Sequence, residues 1–265
     1  MPPSFRLLVE NVSCFLAHLT AEIQASSIEV YFSAVRKEVL LATNGVVDLS
    51  TNFALVRLRA GIERQFGKPG KAKAPVLPCH LRLIHDRMRP LVVDLDLRDL
   101  TLFVISFFGF LHRSEAAALN RADVSVLSMH VELRILKSKT SLYPSSVVLA
   151  RRDDWMCPVH WLGTYLGRLP ASSEALFTQI KSGKLTSMRI SKNVVATQLR
   201  RWLELSGVNA AEISGHSLHR GGATAAVLAG VPEVLIKQHG RWKSDAVHAY
   251  IAPTLEKRLE ITSAL

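Results

Sequence analysis

GHSLHRGGATAAVLAGVPEVLIKQHGRWKSDAVHAYI, residues 215–251, is the stretch from which the rest of the chain is read. Two short helical runs meet at Gly230, with Pro232 just beyond it as the start of the next helix. Glycine after a last helical residue and proline at a first turn are the usual signals of such a boundary. His216, His219, Arg220, Arg241, Trp242 and Tyr250 gather around these two runs. Trp242 and Tyr250 are eight residues apart, about two turns, which places them near one side of a helix. His239 and His248 have no partners at metal-ligand spacing, so no metal site is expected. Taken one at a time, these residues have plain explanations. Tyr250 with Val247 and Ile251 makes an apolar helix face, Trp242 fits a core, and His216 after a glycine fits a cap or a surface position.

Upstream, the chain reads as helix from Trp161 onward, with breaks at Pro170, around Gly183, at Gly207, at Gly230 and at Pro253. WMCPVHWL (155–162) reads as a packed helix start with Cys157 and Trp161 in the core. HVELRILKSKT (130–140) alternates, with Val131, Leu133 and Ile135 on one face. Together with VVLA after Pro144 it predicts a hairpin whose tip is KSKTSLYPSS, where Lys139 alone would be an ordinary solvated turn residue. Earlier still come two helices, DLRDLTLFVISFFGFL and SEAAALN.

The N-terminal part reads as three helices. Leu8, Val12, Phe15, Leu16 and Leu19 share one face. In SSIEVYFSAVRKEVLL, Ser26 or Ser27 can cap, and Val30, Tyr31, Ala34 and Val35 are expected inside with Arg36 and Lys37 outside. FALVRLRAGIERQF (53–66) is the third helix, followed by GKPGKAKAPVLP, a Gly/Pro/Lys linker. The expected fold is therefore mainly α with a small antiparallel β-sheet. It has two domains, 1–78 and 79–265, and no internal repeat.

The 265 residues carry 33 Lys+Arg against 22 Asp+Glu, a net charge of +11, with 48% hydrophobic residues. That balance fits a globular protein and excludes a disordered tail, a collagen or a coiled coil. The positive surplus points to a polyanion, most often nucleic acid, with plain solubility as the other reading. Cys14, Cys79 and Cys157 are too few and scattered for a disulfide framework and predict an intracellular, reduced protein. TLFVISFFGFL is about half the ~20 residues a membrane span needs, and no secretory signal pattern opens the chain, so no membrane role is expected.

Four blocks in order resemble the tyrosine recombinases, or phage integrases. They look closest to the versions carried by eukaryotic mobile elements such as Cryptons and DIRS-like retroelements. FFGFLHRSEAAAL (107–119) resembles the block of the first catalytic arginine, and KSKT (137–140) the hairpin of the catalytic lysine. HSLHRGGAT (216–224) resembles the His-x-x-Arg block, and GRWKSDAVHAYI (240–251) the block with tryptophan and the tyrosine nucleophile. The resemblance implies a helical core-binding domain (1–78) and a catalytic domain (79–265) that clamp double-stranded DNA. It also implies a metal-free transesterification that needs no cofactor, in which Tyr250 becomes linked to a DNA 3′ phosphate. On that basis His216 accepts a proton, Lys139 protonates the leaving 5′ oxygen, Trp242 donates to a phosphate oxygen and Glu115 orients basic neighbours. Arg36, Lys37, Arg57, Arg59, Arg64, Lys68, Lys71 and Lys73, with Arg241 and Lys243, are the expected DNA contacts. Assembly would be a tetramer on two DNA sites, from a free protein that can be monomeric, in the nucleus if the host is eukaryotic and otherwise in the cytoplasm or nucleoid.

The chain departs from the pattern at two places. Lining up the blocks puts His112 and His219 where the two phosphate-clamping arginines belong. Arginine is a permanently charged planar fork, whereas histidine is mostly neutral at pH 7 and donates from one nitrogen per direction. Losing one transition-state donor costs about 100- to 1,000-fold in rate. Arg113 and Arg220 stand next to these positions, but adjacent helical residues point about 100° apart. Three readings follow: a working recombinase or integrase, a silent DNA-binding protein that keeps the fold, and a basic helical adaptor for an acidic protein.

Overall fold

The structure, a computed structural model, describes residues 3–67, 73–90, 93–136 and 143–242. Lys68, Lys71, Lys139, Lys243, Tyr250, residues 137–142 of the hairpin tip and the expected break at Pro253 lie outside them. The chain divides into two compact units, 1–71 and 72–265.

The first unit is three helices, α1 (Pro3–Glu22), α2 (Ala25–Ala42) and α3 (Phe53–Phe66), around a core of Val12, Leu16, Leu19, Ile28, Phe32, Leu49, Leu55 and Ile62. Asn52 caps α3 by accepting from the Leu55 N–H at 3.2 Å. The inward face of α2 differs from the expected one. Ile28 and Phe32 are buried with Val35 packed beside them, whereas Val30 and Tyr31 are 69% and 47% exposed and Ala34 is exposed. The spacing of four between Ile28 and Phe32 sets the buried stripe, and Tyr31 belongs to the next one, edge-on to the exposed ring of Phe15 at 6.5 Å. Neither Ser26 nor Ser27 caps α2; its N-cap is Gln24, without a side-chain bond.

In the second unit, α4 (Pro78–Met88) is followed by α5 (Asp94–Phe108), which is buried from Leu97 to Phe107 and forms the axis of the core. α6 (Arg113–Ala118) leads into a three-stranded antiparallel sheet of β1 (Val124–Val126), β2 (His130–Ile135) and β3 (Ser145–Ala150). Val131, Leu133 and Ile135 face the core as expected, with Val131 opposite Leu149 and Leu133 opposite Val147. α7 (Pro158–Arg168) starts at the buried Cys157 and Pro158. A second hairpin, β4 (Thr178–Lys181) and β5 (Lys184–Arg189), then stands where helix was expected, turning at Ser182 and Gly183 with φ of +50° and +77°. Its strands are largely exposed, so they lack the apolar alternation that announces β2 and β3. α8 (Lys192–Leu205), α9 (Ser217–Leu228) and α10 (Glu233–Gly240) follow.

Residues 74–76 were expected as linker but belong to the second unit. The Ala74 N–H donates to the Glu212 carbonyl (3.0 Å) and the Val76 N–H to the Ser217 carbonyl (2.9 Å). Inside this unit α5 carries a buried charge pair. Arg98 donates to Asp99 at 2.6 and 2.8 Å and to the Thr178 carbonyl at 3.1 Å, while the Trp202 Nε1–H donates to the other Asp99 oxygen at 2.9 Å. Among the described residues no helix is long and apolar enough to cross a membrane.

Candidate active site

Four helix ends meet at the site. The chain leaves α5 through Gly109 and Phe110, which has a φ of +45°, and enters α6 from His112 in extended backbone. The His112 N–H donates to Glu115 Oε2 at 2.9 Å and so closes the first turn of α6. α9 begins after His216, an exposed N-cap, and carries His219 fully buried. Its two glycines let it lie close to its neighbours. A Cβ on Gly221 would stand 1.8 Å from the Val76 carbonyl oxygen, and one on Gly222 would stand 2.1 Å from that of Phe107. α10 ends in Arg241, a left-handed residue at φ +60°, after which the Trp242 ring lies against Gly240.

These ends bring the sequence blocks together. The His112 and His219 rings stack with centroids 4.1 Å apart and 18° between planes, and His216 meets His112 at 5.3 Å. Trp242 meets His219 edge-on at 5.0 Å, and Phe110 borders both Trp242 and His219. The two expected clamp positions are thus neighbours, with His216 and Trp242 beside them.

The chemistry of His219 is fixed by its surroundings. Its Nδ1 lies 2.6 Å from the Phe110 carbonyl oxygen, and a carbonyl only accepts, so Nδ1 carries the hydrogen. Burial pushes its pKa from the usual value near 6.5 down to about 3, and the nearby His112, Arg241 and His216 push the same way. It is therefore neutral at pH 7, with its N–H already committed. His239 is similarly held below its usual range by burial, and its Nε2–H donates to the Phe108 carbonyl at 2.7 Å.

Arg241 was expected on DNA and is instead buried. It pairs with Glu115 at 2.8 Å, the two side chains being 8% and 2% exposed, and it donates to the carbonyls of Gly109, Phe110 and His239. Its backbone is the left-handed cap of α10, and its side chain reaches the start of α6. Glu115 does hold a basic neighbour, as expected, and that neighbour is Arg241.

The stem of Arg113 packs against Gly215, where a Cβ would meet its Cδ at 2.3 Å, so this arginine borders the His216 end of the cluster. Arg220 is directed elsewhere, its Nη1 donating to the Lys73 carbonyl at 3.3 Å. Of the cations expected on DNA in the first unit, Arg36 makes a two-bond pair with Asp48 (2.7 and 2.9 Å) and holds that carboxyl well below the usual range. Arg59 pairs with Glu29 and lies 4.1 Å over the Phe32 ring. Lys37, Arg57 and Arg64 are exposed, as is Lys73 in the second unit. Sequence reading missed the parts played by Phe110, His239 and Arg241. The only sequence signal was their adjacency to Leu111 and to Trp242 in the quoted blocks. Among the described residues no group of three or more His, Cys, Asp or Glu is placed to hold a metal ion.

No protein-family model matches the chain. A curated integrase/recombinase, the xerD homolog of Selenomonas ruminantium, is 26% identical over 197 residues, which is 72% of this chain and 58% of that protein. The chain thus spans well under two thirds of its curated relative. Among solved structures, a XerH site-specific recombinase bound to palindromic difH substrate is similar over 97% of this chain and 71% of its own, with a TM-score of 0.67 and 14% identity. The Tn1549 transposon integrase in complex with circular intermediate DNA is similar over 97% and 86%, with a TM-score of 0.65 and 10% identity. A lambda integrase dimer bound to a COC′ core site is similar over 92% and 79%, with a TM-score of 0.60 and 12% identity. The fold is that of the tyrosine recombinases. The xerD homolog adds a sequence likeness to that fold, and together they support placement in the tyrosine recombinase and integrase family.

Proposed function

We propose that this chain is a site-specific DNA recombinase or integrase of a mobile element, of the Crypton or DIRS-like kind, with a weakened phosphate clamp. It cleaves and rejoins duplex DNA through a 3′-phosphotyrosyl link at Tyr250. The observation that carries this reading is the convergence of His112, His216, His219 and Trp242, from three separate sequence blocks, into one cluster. His216 is exposed and so available to accept the Tyr250 proton, and Lys139 is the general acid. The net charge of +11 supplies attraction to the phosphate backbone, with Lys37, Arg57, Arg64 and Lys73 exposed for it. Arg113, whose stem lies against Gly215 next to His216, is the arginine proposed to replace part of the missing clamp. Assembly is a tetramer on two DNA sites, and localisation is nuclear in a eukaryotic host.

One observation favours a second reading, a silent DNA-binding protein that retains the fold. His219 is neutral and its N–H is spent on Phe110, so it brings no charge to a phosphorane. The test is SDS-resistant adduct formation on nicked, labelled duplexes, which trap the intermediate. An adduct that disappears in Tyr250→Phe supports the recombinase. Salt-sensitive duplex binding without any adduct supports the silent binder, and loss of both contradicts each.

A further inference from the structure

We propose that Arg241 is a positioning residue whose guanidinium assembles the His112–His219 pair and ties it to the segment that leads to Tyr250. This rests on the recombinase reading only for what the pair does with phosphate; the assembly itself is a property of the free protein. One nitrogen, Nη2, reaches both the Phe110 carbonyl oxygen (3.0 Å) and Glu115 Oε2 (2.8 Å). Those are the same two atoms that hold the histidines. Phe110 O accepts the His219 Nδ1–H at 2.6 Å, and Glu115 Oε2 accepts the His112 N–H at 2.9 Å. Nη1 meanwhile reaches the carbonyls of Gly109 and His239, both at 3.1 Å, so the fork spans the α5–α6 turn and the end of its own helix.

The backbone at this position does not call for arginine. At φ +60° glycine carries no Cβ penalty, so what arginine adds is the guanidinium. Phe110 is also left-handed, at φ +45°, and the two residues are bonded to each other through Nη2. Two such non-glycine residues persist only where surrounding contacts hold them, and the Arg241 fork is the contact they share. A lysine could supply the charge but not a planar fork that reaches four acceptors on two nitrogens. Because Arg241 precedes Trp242, the same anchor sets where the chain departs toward Tyr250.

The arrangement also has an electrostatic signature. The groups facing His219 are His112 at the start of α6, His216 on its own helix and Arg241 at the end of α10, with Glu115 paired to that arginine. Removing the guanidinium removes one of the charges that hold His219 neutral.

The test is NMR of the free, full chain carrying 15N-labelled histidine, with Arg241→Gly and Arg241→Lys compared with the unaltered protein across pH. The unaltered chain is expected to show His219 as a single Nδ1–H tautomer that stays neutral to well below pH 5. In Arg241→Gly, with helix content retained, the fixed tautomer is lost and the titration moves up toward the usual histidine range. In Arg241→Lys the tautomer is lost while the titration moves less. If the glycine variant does not fold, the lysine variant decides. A His219 tautomer and titration unchanged in the folded variants overturn the proposal, as does a His219 in the unaltered chain that is not Nδ1–H. A failed DNA reaction with an unchanged His219 signature in the unaltered chain counts against the recombinase reading instead.

Discussion

In the first unit Arg36 and Arg59 meet Asp48 and Glu29 with side chains 26% to 48% exposed. In the second, Arg98 and Arg241 meet Asp99 and Glu115 with side chains no more than 8% exposed. The chemistry is the same, a guanidinium on a carboxylate, but the solvent is not. Water screens the first two pairs and leaves their arginines exchangeable with another anion. The second two are sealed, and each carboxylate also serves a second donor: Trp202 on the other oxygen of Asp99, the His112 N–H on Glu115 Oε2. Surface pairs of this kind can give way to a phosphate backbone, whereas buried pairs fix geometry. On the proposed function, that difference separates arginines that can exchange their partner for a phosphate from arginines that hold local geometry.

The largest effect is expected from breaking the Arg98–Asp99 pair. Asp99→Ala leaves a buried guanidinium and the Trp202 N–H without their carboxylate and should destabilise the second unit by about 3–5 kcal/mol. Denaturant unfolding followed by Trp202 and Trp161 fluorescence measures it, and a loss below 1 kcal/mol would show the pair to be poorly sealed. Trp202→Phe, which removes one donor and keeps the pair, should lose about 1–3 kcal/mol.

The smallest effect on stability is expected at the surface. Glu29→Gln should change unfolding free energy by less than about 1 kcal/mol, since an exposed pair gains little from its attraction. The same change frees Arg59, so duplex affinity should rise and its salt dependence steepen by about one counterion. Unchanged affinity would place Arg59 away from DNA and leave the exposed Lys37, Arg57 and Arg64 as the contacts of this unit.

Much of this was legible before any coordinates, and the exceptions have physical reasons. The third helix is legible as 53–66 because its helical run stops at the Gly/Pro/Lys stretch that begins at Gly67. The β2–β3 hairpin was read because Val131, Leu133 and Ile135 alternate on a buried face. The β4–β5 hairpin was missed because its strands are mostly exposed, leaving only Ser182 and Gly183 as a turn signal. At the site, lining up the blocks singles out His112 and His219, whereas the stacking of their rings is seen only in the structure. The burial of Arg241 does not follow from the blocks, because it comes with a left-handed cap, and no periodicity reports the sign of φ. The ion pair of Arg36 was not legible either, because its partner Asp48 lies beyond the end of α2, twelve residues on.

On the function proposed above, His112 and His219 stand where phosphate-clamping arginines would act, and this weakens the chemistry. The most direct measurement is the rate of covalent adduct formation on nicked duplex DNA by the unaltered chain and by the His112→Arg, His219→Arg protein, each with and without Tyr250→Phe. The account predicts an adduct that forms at least about 100-fold faster once the arginines are restored and that vanishes with Tyr250→Phe. A folded, arginine-restored protein that forms no adduct, or forms it no faster than the unaltered chain, would contradict it.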